Sequence, residues 1–318
     1  MKRVGLAILT ILTCGMVHAL PVGNPSEASL LIDGLFWEGQ CPDICDPNLT
    51  WCDAISIRVG FLGDYIFNRY LEINSNNKSK DADKTRVMTN AGYFAANFWD
   101  RVDVFATLGA SSIFQQSDFG TIANRGPGAL GVVAPSGDAI YQLWTNTDFS
   151  WSVGLRGPIW ECGCTSVGAE FQYFQARPKL RYINTYSGPN AQVPLITSDT
   201  GSRQAFGNGY TTKYYDWKVG LGISHRIYNL VPYAAVTCSN AKWLLGNAVI
   251  RNQYLFGVPP QIAAQAIPFS TVLQDQRAAK TWGYALGVTL VDCEKMSLNL
   301  EGDFASSLEV AINAQIRF

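Results

Sequence analysis

The last eleven residues alternate between apolar and polar side chains with a period of two. In LEVAINAQIRF, residues 308–318, the apolar series runs from Leu308 to Phe318, and the intervening series includes Glu309, Asn313 and Arg317. Successive side chains of a β-strand point to opposite faces. The pattern therefore predicts a strand that meets apolar surroundings on one side and polar surroundings on the other.

The same alternation recurs along the chain. It is found in AISIRVGFLGDYIF, SWSVGLR, VGAEFQY, YDWKVGLGIS and WGYALGVTL. Together with similar runs, these segments identify about ten strands. The alternation predicts an all-β fold, but a soluble β-sandwich alternates as well. Other features must decide what covers the apolar faces.

Three such features favour a transmembrane barrel. The predicted strands reach the roughly 9–11 residues that a tilted strand needs to cross hydrocarbon. Their polar faces carry Gly, Ser, Asn and isolated charges, which suit a wet lumen better than a packed core. Tryptophans recur near predicted strand ends, as an aromatic girdle requires: Trp37, Trp99, Trp144, Trp160, Trp243 and Trp282. Closure follows because hydrocarbon offers no partner for an open strand edge.

The connections between the predicted strands alternate in length, as they do in outer-membrane barrels. At about 18 residues per strand and connection, the chain accommodates roughly 16 antiparallel strands. If the C-terminus faces the periplasm, the short turns face it too and the long loops are extracellular. The short turns are residues 99–101, 160–164, 228–230 and 292–295, and the long loops are residues 68–84, 117–138, 184–209 and 246–280.

The N-terminus predicts export. Lys2 and Arg3 precede an apolar run from Val4 to Val17, and Ala19 offers a small residue for cleavage. The alternative, a retained anchor helix, needs roughly 20 apolar residues, and this run is shorter. We therefore expect residues 1–19 to be a secretory signal and residues 20–318 to form one outer-membrane barrel domain.

Composition narrows the function classes. Removal of Lys2 and Arg3 leaves 22 cations against 25 acids, so a nucleic-acid partner has no electrostatic support. Hydrophobic residues make up 47% of the chain and charged residues 15%, which is low in charge for a soluble secreted protein. After the signal, no run of 18 apolar residues exists, so an α-helical membrane protein is excluded.

Seven cysteines remain after signal removal, an odd number that leaves at least one thiol free or bonded to another molecule. Only Gly163 separates Cys162 from Cys164, so a bridge between these two would be strained. We expect distant or intermolecular partners, with ordinary intrachain bridging and zinc binding as alternatives. The seven are Cys41, Cys45, Cys52, Cys162, Cys164, Cys238 and Cys293.

Catalysis and cofactor binding find little support. His225 is the only histidine after the signal, and the neighbouring Ser224 points to the opposite face of a strand. A hydrolase on a barrel is therefore a minor alternative. No nucleotide fingerprint is present, and we expect neither a cofactor nor a metal.

Isolated charges are the candidate functional residues. If the apolar neighbours face lipid, charges of both signs project into the lumen, where they would set its radius and ion preference. A mixed lining predicts weak selectivity. The alternative is that opposite charges pair across the wall and tune nothing. These residues are Arg58, Arg156, Glu170, Lys218 and Arg317.

Several stretches of the chain have a known counterpart: LPVGNPSEASLLIDGLFWEG, DPNLTWCDAISIRVGFLGDYIF, NFWDRVDVFATLGAS, FSWSVGLRGPIWECGCTSVGAEFQY, DWKVGLGIS, LVPYAAV and NAQIRF. Together they resemble the chlamydial major outer membrane porin family. The resemblance runs from Leu20 to Phe318 and is broken mainly in the long loops. Loops at the positions that vary in the family are short in this sequence.

The resemblance implies a trimeric barrel of about 16 strands that passes small hydrophilic solutes through the outer membrane. It also implies that copies of the protein are linked by disulfides to one another and to other cysteine-rich envelope proteins. The terminal Phe318 resembles the signal that the assembly machinery of the outer membrane reads. In CPDICDPNLTWC, Cys45 and Cys52 match the family pattern, Cys41 is displaced, and Asn48 stands where a cysteine is usual. A structural or adhesive envelope barrel with a plugged lumen is the competing hypothesis.

Overall fold

The computed structural model describes residues 23–31, 55–73, 84–122, 137–187, 202–246, 249–255, 266–292 and 294–318. Within these ranges one short helix precedes a series of antiparallel strands. The helix is α1 (Glu27–Leu30), and the strands are β1 (Ile55–Arg69), β2 (Leu71–Ile73), β3 (Lys84–Phe98), β4 (Val102–Ile122), β5 (Gly137–Thr145), β6 (Asp148–Cys162), β7 (Thr165–Ala176), β8 (Lys179–Ser187), β9 (Ser202–Thr211), β10 (Lys213–His225), β11 (Leu230–Leu244), β12 (Val249–Leu255), β13 (Ala266–Val272), β14 (Gln276–Ala278), β15 (Trp282–Asp292), β16 (Met296–Phe304) and β17 (Ser307–Arg317).

Ten of these described strands close a ring. Neighbours pair in the order β1, β3, β4, β6, β7, β10, β11, β15, β16 and β17, and β17 pairs back onto β1. The closing pair runs in register from Arg58 opposite Arg317 to Arg69 opposite Ser307. The fold is thus an all-β antiparallel barrel that the C-terminal strand shuts, as the alternation in LEVAINAQIRF predicts.

The ring of ten corrects the expected number of about 16 strands for the described residues. Single strands are longer than the assumed average of about 18 residues per strand and connection allows, and β4 by itself has 21 residues. Five shorter segments, β2, β5, β8, β9 and β14, lie directly beside ring strands in sequence and extend the wall beyond a bend. Strands β12 and β13 form a separate hairpin between β11 and β14. A count that divides length by an average repeat overestimates the strands for this reason.

The connections fall at two different ends. The short turns of residues 99–101, 163–164, 226–229 and 294–295 all lie at the end that carries the C-terminus, which we call the C-terminal end. Trp99 and Asp100 have φ of 53° and 51°, and the amide of Arg101 donates to the carbonyl of Phe98, as in a type I′ hairpin turn. At the opposite end residues 305–306 join β16 to β17. Each of the four expected long loops lies partly outside the described residues, and their described parts include segments of β4, β9, β12 and β13.

The two faces of the wall differ as the sequence predicts. Along β17, Leu308 and Val310 are exposed on the outside, while Glu309 and Gln315 are buried on the inside. The pattern of β10 is the same, with Val219 and Leu221 outside and Lys218 inside. Among the described residues, no helix is long and apolar enough to span a lipid bilayer.

The tryptophans follow the girdle prediction with one correction. Trp99, Trp144, Trp160 and Trp282 are exposed, and Trp37 lies outside the described residues. Trp243 instead points inward, is fully buried, and donates from Nε1 to Thr212 Oγ1 at 3.1 Å. It belongs to an apolar cluster that fills the interior toward the long-loop end. The cluster contains Ile66, Leu71, Val87, Ile113, Tyr141, Leu143, Phe174, Ala176, Leu180, Ile183, Tyr214, Ala241, Trp243, Leu245 and Leu273.

Arginine placed on the outer face tests the lipid contact. Val219 lies in the middle of β10 and is 37% exposed. We expect Val219→Arg to reduce the free energy of unfolding in a bilayer by about 2–4 kcal/mol, because a cation then meets the hydrocarbon midplane. His225→Arg introduces the same cation at the strand end, near the membrane surface, and should change it by only about 0–1 kcal/mol. Equal folding yields of Val219→Arg, Ile312→Arg and the wild type in liposomes would contradict a lipid-facing surface.

Candidate functional site

The N-terminal residues 23–31, which we call the inner segment, lie inside the ring. Leu30 and Leu31 pack against Val231 and Val291 near the C-terminal end. On β7 Gly168 permits a close approach, because a Cβ atom there would lie 2.5 Å from the carbonyl oxygen of Pro25. The wall is therefore shaped to accommodate the backbone of this segment.

Polar groups attach residues 23–26 of the inner segment to three strands of the wall, β16, β15 and β10. The amide of Gly23 donates to Glu301 Oε2 at 2.7 Å. Asn24 donates from Nδ2 to Thr289 Oγ1 at 2.9 Å. Ser224 Oγ donates to Ser26 Oγ at 3.0 Å. Each of these contacts joins residues that are far apart in sequence, so they form only when the barrel closes around the segment.

Glu27 is the charged centre of the inner segment. Its carboxylate accepts from Arg156 at 2.5 Å and from Gln315 Nε2 at 2.6 Å. Both Arg156 and Glu27 are buried. A buried carboxylate that accepts a charge-assisted hydrogen bond is strongly held in place.

Wall donors also bind the backbone carbonyls of the inner segment. Arg58 donates to the carbonyls of Glu27 at 2.9 Å and Ala28 at 2.8 Å. Asn97 donates to the carbonyl of Ala28 at 2.9 Å, and Arg317 donates to that of Leu31. A four-residue helix has no room to satisfy its last carbonyls internally. The wall supplies these partners.

Asp103 connects the cations that hold the segment. Its carboxylate accepts from Arg58 at 2.9 Å, from Arg156 at 3.3 Å and from Asn97 at 2.7 Å. Arg156 also donates to the hydroxyl of Tyr93, and its guanidinium lies 5.2 Å from the ring centroid of Phe105. The arginines are thus fixed by the wall itself as well as by the segment.

A second group of charges lies between the inner segment and the apolar cluster. Lys218 Nζ lies 2.5 Å from Asp303 Oδ2 and 3.9 Å from Glu301 Oε1. Arg69 pairs with Asp216 at 3.4 Å. Buried charges need partners of opposite sign because desolvation is costly. These pairs meet that requirement within the wall.

The five charged residues predicted to line a lumen all point inward. The structure brings Arg58, Arg156 and Glu170 together, with Glu170 3.8 Å from Arg156. Lys218 belongs to the second group, and Arg317 pairs with Asp100 at 2.6 Å near the short turns. All five are 8% exposed or less, so they are packed and paired in this conformation. Their role in a water path stays a prediction.

Sequence reasoning missed Glu27, Asp103, Glu301 and Asp303. A signal for Asp103 was present, since Val102 and Val104 flank it in a run of alternating residues. Glu301 and Asp303 alternate with Leu300 and Gly302 in the same way. For Glu27 no local signal exists, because its partners are Arg156 and Gln315, and the latter is 288 residues away.

Among the described residues, a cavity of about 20 Å³ lies beside Gly23, Tyr93, Arg156 and Glu170, with room for about one water molecule. Within the described ranges, no group of three or more His, Cys, Asp and Glu side chains has an arrangement that could hold a metal ion. His225 is exposed and Ser224 is buried, so the two lie on opposite faces as expected.

Comparison with known proteins places this barrel in a family. The family model described as the Chlamydia major outer membrane protein matches residues 1–85 and 76–255. The major outer membrane porin of Chlamydia psittaci is 36% identical over 375 residues, and the match covers 95% of each chain. That of Chlamydia abortus is 35% identical over 370 residues with the same coverage. The chain belongs to the chlamydial major outer membrane protein family.

A solved structure gives a weaker comparison. The outer membrane protease OmpT from Escherichia coli matches with a TM-score of 0.36 and 10% sequence identity, over 86% of this chain and 99% of that chain. At these values the similarity supports no conclusion about this chain.

Membership of the chlamydial family makes this barrel a multi-pass protein of the bacterial outer membrane. Outer-membrane barrels have short periplasmic turns and long extracellular loops. This rule predicts that the C-terminal end is periplasmic. Cys162 and Cys164 are unbridged and exposed in the turn at that end, and Cys238 is unbridged and half-buried on the outer face of β11. Cys41, Cys45, Cys52 and Cys293 lie outside the described residues.

The charge pairs of this family member predict a large effect at Asp103. We expect Asp103→Asn to reduce the free energy of unfolding by about 3–5 kcal/mol, because Arg58 and Arg156 lose a buried counter-charge. Glu72→Gln is the matched control: Glu72 pairs with Arg277 at 2.7 Å, but the arginine is 57% exposed. That surface change should cost less than about 1 kcal/mol. Guanidinium unfolding in micelles measures both, and similar values for the two variants would contradict the proposed network.

Proposed function

We propose that this chain is an outer-membrane porin through which small hydrophilic solutes and ions diffuse passively. The observation that carries the proposal is its membership of a family whose relatives are named major outer membrane porins, over nearly the full chain. The polar inner face of the barrel supports it, because water and solutes need hydrogen-bonding groups along their path. Passive diffusion requires no cofactor and no enzymatic step.

The proposed path is weakly selective. Arg58, Arg156 and Lys218 face the interior together with acids, and each cation has a carboxylate within 4.0 Å. Paired charges of both signs produce a weak net field along a path. We therefore propose that neither small cations nor small anions are strongly excluded.

A second candidate function is a structural or adhesive role in the envelope. The observation that favours it is that two groups of residues occupy the interior. The inner segment lies at the periplasmic end, and the apolar cluster lies at the other end. A barrel that never empties would act through its surface and its cysteines.

Solute uptake by liposomes separates these two candidates. Reconstituted, reduced protein should make liposomes swell in isotonic solutions of small sugars, with rates that fall as sugar size increases. Heat-denatured protein added at the same lipid ratio is the control. A swelling rate equal to that of protein-free liposomes for every sugar would contradict the porin proposal and favour the structural one.

We further propose that the barrel forms homo-oligomers, with a trimer as the expected state, and disulfide links to cysteine-rich envelope proteins. Cys162 and Cys164 support the linking proposal, because both are exposed at the periplasmic turn and unbridged. Gly163 between them has a φ of 57°, which fits a tight turn that presents both thiols to the periplasm. Partner thiols could reach this turn without entering the membrane.

Loss of both turn cysteines tests the linking role. We expect the double variant Cys162→Ser and Cys164→Ser to lose most high-mass species on non-reducing gels of native envelopes, since these are the thiols at an accessible turn. Cys238→Ser, which removes a thiol from the outer face of β11, is the control and should leave them unchanged. An identical ladder from the double variant would exclude these thiols as the linkage points.

A further inference from the structure

The inner segment occupies the space that a solute would cross at the periplasmic half of the barrel. It contacts the wall on several sides, through Glu301, Arg156 and Ser224 among others. These residues lie on β16, β6 and β10, which are well separated around the ring. Bonds to strands on several sides of the ring hold this backbone across the interior.

Polar contacts hold the segment at its centre, and those contacts can be exchanged for water. Arg58 and Asn97 bind its carbonyl oxygens, and Arg156 binds the carboxylate of Glu27. Water can replace the segment as a partner for each of these donors. The packing of Leu30 and Leu31 on Val231 and Val291 is the main apolar contribution.

The wall charges keep partners when the segment is removed. Without Glu27, Arg156 retains Asp103 at 3.3 Å and Glu170 at 3.8 Å. Arg58 likewise retains Asp103 at 2.9 Å. The wall is thus internally paired, and Glu27 adds a contact that belongs to the segment rather than to the barrel. A vacated interior would be lined by hydrogen-bonding side chains.

We propose that residues 23–31 act as a displaceable plug, and that solutes pass only while this plug is out of the ring. The contacts of the Glu27 carboxylate with Arg156 and Gln315, which we call the latch, hold the plug in place. The inference rests on the proposed porin function. The apolar cluster at the long-loop end is a second constriction, but it consists largely of side chains carried by the wall strands. Such constrictions can wet and dewet without movement of the backbone. The plug must move as a unit.

Single-channel recording with a weakened latch tests this role. Glu27→Gln keeps the size of the side chain and its contact with Gln315 but removes the charge that faces Arg156. We expect its open fraction in planar bilayers to be at least tenfold higher than that of the wild type. Glu72→Gln, the same change in an ion pair outside the interior, is the matched control and should equal the wild type.

Two further variants keep the test decisive. Asn24→Ala removes the bond to Thr289 and replaces Glu27→Gln if that variant does not fold. Deletion of residues 23–31 should give the longest openings. If the wild type conducts and Glu27→Gln or Asn24→Ala matches its open fraction, the plug is overturned and the porin function stands. If folded wild type, latch variant and deletion all fail to conduct, both proposals are overturned.

Discussion

The structure depends on one constraint: inside hydrocarbon, every backbone N–H and C=O group must find its partner within the protein. The wall meets this requirement by pairing its first strand with its last, from Arg58 opposite Arg317 to Arg69 opposite Ser307. Once the ring is closed, the pleat decides which side chains face lipid and which face inward. The apolar outside and the polar inside follow from that single closure.

Ring size then controls what the interior can contain. A ring of ten described strands is narrow enough for side chains from opposite walls to meet around a single inner segment. Arg58, Arg156 and Lys218 are consequently removed from water, and desolvated charges persist only with close counter-charges. The ion pairs to Asp103 and Asp303 meet that need. Because the ring is this narrow, solute passage depends on whether residues 23–31 occupy the interior.

Much of the wall could be predicted from the sequence because the period of two is a local property. The faces of β10 and β17 were assigned correctly from YDWKVGLGIS and LEVAINAQIRF alone. Trp243 was misassigned because the interior near it is apolar, so AKWLL shows no contrast between the two faces. The number of ring strands among the described residues differs from about 16 because single strands are long, with 21 residues in β4, and because segments such as β5 continue a ring strand beyond a bend. The inner segment was not predictable, since its contacts with Gln315, Thr289 and Glu301 join opposite ends of the chain.

The location of residues 23–31 bears on the order of biogenesis. Chains rarely thread through closed loops, and this segment lies within a ring that is completed by the pairing of β17 with β1. The simplest route is for residues 23–31, which precede every ring strand in sequence, to lie beside the growing sheet while further strands add to its edge. The sheet then curls around them. Pairing of β17 with β1 would enclose the segment, so residues 23–31 and β17 reach their final places together.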